Sequence, residues 1–284
     1  MSGRLQNKNC IITGAAGYGF HYLSKNSGIG IETAILFASH GAKVILSDIN
    51  QKSLDIALAK VKHLVPHAVL KTQHTDVSKE AHVRALVAAA EEWGGVDVLF
   101  NNAGIMHPLD GDENTDEKVW ELTHNINVKG VWFGCKYAIA AMRKHGRPSS
   151  IINTASVVAL VGSAASQLAY TASKGAVLAM TRELAIVHAR HNIRLNSLCP
   201  GPLNTPLLQA FLDTPEKASR RLIHLPMGRF GEAVEQAQVV VFLASDESSY
   251  LNAAEMAVDG GMTRAYVTSE DKPTAAPQNA VFGK

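Results

Sequence analysis

The sequence offers little to a disulfide, a metal or a membrane. Its three cysteines, Cys10, Cys135 and Cys199, stand far apart and form no Cys-x-x-Cys pair. That argues against both a disulfide framework and a zinc knuckle, and each is expected as a small buried core residue. Twelve histidines occur without a His-Glu-x-x-His or similar ligand set, so no metal is expected. No stretch reaches the roughly 18 apolar residues of a membrane span. Residues Met1 to Leu5 hold no apolar leader region, and the ending Val281-Phe282-Gly283-Lys284 is not a peroxisomal tripeptide. The expected setting is the reducing cytoplasm. Lys and Arg together number 27 against 25 Asp and Glu, for a net charge of +2. The positive charges are dispersed, with no basic run or aromatic-interleaved patch, so neither nucleic acid nor a membrane is an expected partner.

What the chain does have is a steady alternation. With 284 residues, 46% of them hydrophobic, it can bury one sizeable core but not two full ones. Short apolar runs fall at Cys10–Ile12, Val44–Leu46, Val96–Phe100, Ile151–Asn153 and Ile193–Leu198, with a weaker one at Val69-Leu70 and a last one at Met256–Val258. Several are apolar on consecutive residues, as strands covered on both faces should be. Between them, Glu32–Ser39, Ser53–Leu64, Glu80–Trp93, Val119–Arg143, Leu168–His188 and Val234–Leu243 carry apolar residues at helical spacing. Strand–helix alternation with short connections means βαβ units. The fold class is therefore α/β, a single-domain Rossmann-type doubly wound parallel sheet with helices on both faces. That domain is expected over residues 1–265, with a polar, flexible tail over 266–284.

The first predicted strand runs into Thr13-Gly14-Ala15-Ala16, and Ser27-Gly28-Ile29-Gly30 opens the next helix. Glycines let backbone N–H groups approach a pyrophosphate, and a helix N-terminus favours its charge. Ten residues, Gly17 to Asn26, separate the two halves. We assign the cradle to Gly14, Gly28 and Gly30, with Ser27 as N-cap and the insert looping out. Gly17 and Gly19 offer a rival cradle, but no comparable helix follows them directly. A tolerated loop, a lid over the phosphates and a gene-model error all remain open for the insert. Asp48, at the end of the second strand, can accept hydrogen bonds from the adenosine ribose hydroxyls. It would repel a 2′-phosphate, and no adjacent Arg offers to hold one, so the expected cofactor is NAD rather than NADP. The bland alternative makes Asp48 a turn-forming residue before Asn50.

Tyr170-Thr171-Ala172-Ser173-Lys174 sets a phenol and an ammonium on one helix face. Reducing a ketone requires an acid for the developing alkoxide, and the reverse requires a base. A free phenol, with a pKa of about 10, is a poor base at neutral pH; a nearby cation favours its ionised form. Ser156, just beyond Ile151–Thr154, lies on the edge where parallel sheets bind ligands. There it could donate to a substrate oxygen or simply cap the next turn.

Taken in order, the split glycine motif, Asp76-Val77, Asn101-Asn102-Ala103-Gly104, Asn127, Ser156, Tyr170 with Lys174, and Pro200-Gly201-Pro202-Leu203-Asn204-Thr205 resemble the short-chain dehydrogenase/reductase family. The match runs from about Leu5 to Thr263. The resemblance implies a tetrad of Asn127, Ser156, Tyr170 and Lys174. Ser156 would polarise the carbonyl, Tyr170 exchange the proton, and Lys174 bind the nicotinamide ribose and tune Tyr170. Asn127 would kink its helix so that a carbonyl holds a relay water. Asp76 and Val77 would contact the adenine; Asn102, Ala103 and Gly104 would line the adenosine side; Leu203 and Thr205 would contact the carboxamide, with Pro200 beside them. It also implies a substrate lid over about 205–227 and a homotetramer or homodimer built on Val119–Arg143 and Leu168–His188.

The reading is an oxidoreductase that moves a hydride between NAD(H) and a secondary alcohol or ketone. The small-residue wall between Ser156 and Tyr170, with Gln167, suits a modest, partly apolar substrate. The alternative is a nucleotide-binding Rossmann protein whose catalysis residues 17–26 impair or abolish. A sugar-nucleotide epimerase or dehydratase ranks lower, because too little chain follows Thr205 for a larger substrate lobe.

Overall fold

The computed structural model describes residues 3–17, 28–163, 165–205, 208, 212, 214–266, 268 and 271–275. Seven strands form one parallel sheet: β1 (Asn9–Thr13), β2 (Lys43–Asp48), β3 (Val69–His74), β4 (Val98–Asn101), β5 (Ser149–Thr154), β6 (Ile193–Pro200) and β7 (Glu255–Val258). Their order is β3-β2-β1-β4-β5-β6-β7.

Consecutive apolar residues in the central strands are sorted by the pleat onto opposite faces. Cys10, Ile12, Val44, Leu46, Phe100 and Ile152 pack on one side, against α1 (Ile29–Ser39), α2 (Gln51–Leu64) and α8 (Ala233–Ala244). Ile11, Ile45, Leu99, Ile151, Leu195 and Cys199 pack on the other, against α3 (Glu80–Ala88), α5 (Gly130–His145) and α6 (Leu168–His188). Phe37 of α1 is fully buried in the first layer; truncating such a residue to Ala costs about 3–5 kcal/mol.

The doubly wound parallel sheet expected from the sequence is the one observed, and three elements differ in detail. The run Glu80–Trp93 is not one helix. α3 stops at Ala88 and a 3₁₀ turn over Glu91–Trp93 follows, ended by Gly94 and Gly95 at φ 88° and 99°. The run Val119–Arg143 divides into α4 (Glu117–His124), a π-helical turn (Asn125–Lys129) and α5. The weak signal at Val69-Leu70 is an edge strand continuing to His74, where partial exposure blurs the apolar pattern.

After β6 the chain forms α7 (Pro215–Leu222), capped by Thr214 and carrying Lys217, Arg220 and Arg221. A two-pronged ion pair then fixes the approach to α8: Arg229 Nη1 and Nη2 donate to the Glu235 carboxylate at 2.9 and 2.8 Å. Part of the expected tail returns to this region, with Thr274 N donating to the Met227 carbonyl at 3.1 Å.

Candidate active site

The connections leave β1 and β4 in opposite directions along the sheet. Ligand crevices in doubly wound folds open at the carboxyl ends of strands where the order reverses in this way. A cavity of about 470 Å³ lies there, within the usual range for small-molecule sites.

β1 ends at Thr13 and the backbone turns through Gly14 at φ 63°. A Cβ added to Gly30 would lie 2.2 Å from the Gly14 carbonyl oxygen and 3.0 Å from the Ala15 Cα. Helix α1 is thus seated directly on the turn, and no side chain fits at position 30. The N-cap of α1 is Gly28, which makes no side-chain cap hydrogen bond; the Ser27 cap expected from the sequence is therefore corrected by one residue, and Ser27 itself lies outside the described residues, as do residues 18–26. A helix start capped by glycine leaves its first N–H groups to bind an anion. Gly17 lines the same cavity and touches Gly28, whose added Cβ would stand 3.4 Å from the Gly17 Cα. The two halves of the split motif therefore meet at Gly17 and Gly28; Gly19, the other glycine of the rival cradle, lies outside the described residues. Asn102 ties the far wall to it, its Nδ2 donating to the carbonyls of Thr13 and Gly14 at 3.1 and 3.0 Å.

Asp48, Ile49, Asn50, Thr75, Asp76 and Val77 form one end of the cavity. The two Asp48 carboxylate oxygens accept from Ala16 N and Asn50 N, each at 3.1 Å. Burial pushes this carboxyl above the ordinary range, against those backbone hydrogen bonds. Each oxygen keeps acceptor capacity for a further hydroxyl. Glycine-lined turn, side-chain-free helix start and acidic end fit a dinucleotide.

The other end carries the polar side chains expected to react. Ser156 follows β5 in extended backbone at φ −170° and heads a 3₁₀ turn, accepting from Val158 N at 3.4 Å. It caps that turn and also lines the cavity. Tyr170 and Lys174 line it from the first turns of α6. The Lys174 ammonium lies 5.5 Å from the centre of the Tyr170 ring and donates to the Thr154 carbonyl at 2.8 Å. Burial lowers its pKa from 10.5 to about 8. Gly104 leaves room for this amine, since an added Cβ would come 3.3 Å from Lys174 Nζ and 3.2 Å from Asn127 Oδ1.

Asn127 does not line the cavity. It is fully buried in the π turn, where its amide exchanges hydrogen bonds of 2.8 and 2.9 Å with the Ile105 backbone and donates to Ser173 Oγ at 3.0 Å. Ile29, Ala103, Pro200, Leu203 and Thr205 all lie on the cavity wall.

The family model that matches, described as enoyl-(acyl carrier protein) reductase, covers residues 23–263. Levodione reductase of Leifsonia aquatica is 37% identical over 84% of this chain and 92% of its own length. The 3-oxoacyl-(acyl-carrier-protein) reductase FabG of Thermotoga maritima is 39% identical, over 91% of this chain and 99% of its own. The crystal structure of levodione reductase superposes with a TM-score of 0.85 at 34% identity, covering 92% of this chain and all of that one. The chain belongs to the short-chain dehydrogenase/reductase family.

As a short-chain dehydrogenase/reductase it is an oxidoreductase, and its chemistry is hydride transfer between a nicotinamide cofactor and an alcohol or ketone. A nucleotide binder without catalysis is not favoured. Among the described residues, no helix is long and apolar enough to cross a membrane. The family signature located much of the cavity wall but missed, among others, Ile105, Met106, Ile126 and Arg221. The first three reach the cavity through the loop after β4 and the π turn, which no local periodicity announces. Arg221 is one of several cations on a short amphipathic helix, and its neighbours Lys217 and Arg220 do not line the cavity.

Proposed function

We propose that this enzyme is an NAD(H)-linked dehydrogenase/reductase acting on secondary alcohols and ketones, with Tyr170 as the proton-exchanging group. The observation that carries this is the shared cavity: Ser156, Tyr170 and Lys174 line one end of the space whose other end is the glycine cradle and Asp48. When bound, the nicotinamide supplies or accepts the hydride.

The protein's part is to hold the carbonyl and move the proton. Ser156 donates a hydrogen bond to the substrate oxygen and strengthens it as negative charge develops there. Tyr170 gives its phenolic proton to that oxygen during reduction and takes it back during oxidation. The Lys174 ammonium lowers the cost of the phenolate by opposite charge, and it would hold the nicotinamide ribose. Asn127 maintains the π turn from which a relay water could reach Lys174. Asp76 and Val77 would hold the adenine, with Asn102, Ala103 and Gly104 on the adenosine side and Leu203 and Thr205 near the carboxamide.

NAD over NADP is supported by the carboxylates of Asp48 and Asp76 on the wall, which would repel a 2′-phosphate. Val157, Val158, Met106 and Leu208 on the wall favour a modest, partly apolar ketone. The relatives include a reductase named for levodione and a dehydrogenase of Comamonas testosteroni named for cyclopentanol. Exposed Trp132 on α5 and exposed Leu168, Ile186 and Val187 on α6 support assembly into a homodimer or homotetramer. Three unpaired, buried thiols suit the cytoplasm.

A panel of cyclic and open-chain ketones and alcohols, followed by nicotinamide absorbance with each cofactor, tests the reading. Turnover with NAD(H), abolished in Tyr170→Phe while NADH still binds, is expected. Full activity in Tyr170→Phe would overturn it.

A further inference from the structure

Helix α6, which carries Tyr170, does not cap itself. Gln167 occupies the N-cap position with φ −162° and ψ 56° and makes no side-chain cap hydrogen bond. The first N–H groups of a helix have no partner within it, and here they are met from a distant loop. Leu168 N donates to the Gly111 carbonyl at 3.0 Å. Ala169 N donates to Asp110 Oδ1 at 3.0 Å, and Tyr170 N donates to Asp110 Oδ2 at 2.8 Å. Asp110 is buried, at 8% exposure, and both its oxygens are used. This is the hydrogen bonding of an N-cap aspartate, delivered across the fold.

The same loop is held at its start. Asn127 grips the Ile105 backbone on both sides, and its Nδ2 also donates to Ser173 Oγ. Ser173 Oγ in turn donates to the Tyr170 carbonyl at 2.7 Å. The backbone of Tyr170 is therefore clamped at both ends, its N–H by Asp110 and its carbonyl by Ser173. The loop from Ile105 to Asp110 closes the ring between them, and Ile105 and Met106 in that loop line the cavity.

We propose that Asp110 is a positioning residue for the reaction, fixing the Tyr170 backbone against the loop that walls the site. The proposal rests on Tyr170 being the proton-exchanging group. A cap that served stability alone would, when lost, lower the melting temperature and leave turnover per folded molecule unchanged. A positioning residue shows a loss in kcat with substrate KM and NADH affinity largely kept, because proton transfer needs the phenol in hydrogen-bonding reach of the substrate oxygen.

The experiment compares Asp110→Asn, a near-isostere that keeps one acceptor, with Asp116→Ala, which removes the cap of α4 where Asp116 Oδ1 accepts from Lys118 N at 2.7 Å. Tyr170→Phe is assayed alongside. Asp110→Asn is expected to lose about tenfold or more in kcat, with KM and NADH Kd within about twofold. Asp116→Ala should lose melting temperature and keep its kcat. Wild-type kcat in folded Asp110→Asn, or an equal loss in Asp116→Ala, overturns the proposal while an inactive Tyr170→Phe leaves the functional reading standing. An active Tyr170→Phe brings both down. Should Asp110→Asn not fold, Thr115→Val carries the test, since Thr115 Oγ1 donates to Asp110 Oδ1 at 3.3 Å and accepts from Gly111 N at 2.9 Å. A loss of about threefold in kcat at unchanged NADH affinity is then expected, and an unchanged kcat overturns the proposal.

Discussion

Lys174 donates to the carbonyl oxygen of Thr154 at 2.8 Å, joining α6 to the end of β5 two residues before Ser156. The amine is buried, and its burial sets its proton affinity: the folded protein releases that proton near pH 8, whereas the unfolded chain keeps it to about 10.5.

Between those two values the unfolded state binds more protons, so Lys174 makes stability rise with pH. Below pH 8 both states carry the proton and the cost of burying the charge is fully present. The cofactor-free enzyme should therefore gain melting temperature relative to Lys174→Met between pH 8 and pH 10. A difference that stays flat over that range would show the amine to be solvated.

Ser156 makes a weak structural hydrogen bond, accepting from Val158 N at 3.4 Å. Replacing it by Ala should leave the circular dichroism spectrum unchanged. Turnover should fall on the order of a hundredfold, as for removal of one oxyanion donor. Retention of most of the activity would place the polarising group elsewhere.

At Gly30 the backbone of Gly14 is the obstacle, so Ala cannot be accommodated by a side-chain shift. Gly30→Ala should destabilise the fold by about 1–3 kcal/mol through overpacking. Because it pushes the helix off the turn, NADH affinity should fall by more than stability alone explains. Titration of NADH fluorescence separates the two effects; unchanged affinity in a folded variant counts against the cradle.

The carboxylate of Asp48 faces the end of the cavity that would hold the adenosine ribose. Asp48→Ser removes the charge that would repel a 2′-phosphate, and should raise the NADP(H)/NAD(H) ratio of kcat/KM at least tenfold. A ratio that does not move would mean the discrimination lies in other residues.

Much of this could be read from residue order alone. Apolar runs and helical stripes located every strand and nearly every helix, because burial on both sheet faces writes itself into consecutive apolar residues. Tyr170, Lys174 and Ser156 were visible because their spacing is local. Asp110 was not, since its partner is the start of a helix far along the chain and Leu109-Asp110-Gly111 looks like any turn. The break in the helix around Asn127 was legible only through family likeness, as the apolar stripe runs through it without interruption. Ser27 is a good cap by residue type, but the cap falls one position later, on Gly28.

The π turn at Asn125–Lys129 sets a limit on how the gene can vary in length. It holds more backbone per turn than an α-helix, and that surplus is taken up within the turn, leaving both flanking helices facing inward, with Val119 and Thr123 buried before it and Val131, Cys135 and Met142 after it. Deleting one codon here would restore regular winding and leave the flanking faces in phase, but it would abolish the turn that seats Asn127 against Ile105 and Ser173. The chain carries ten extra residues between Ala16 and Ser27, where Gly17 and Gly28 stand side by side. Around Asn127 it has no room to lose even one.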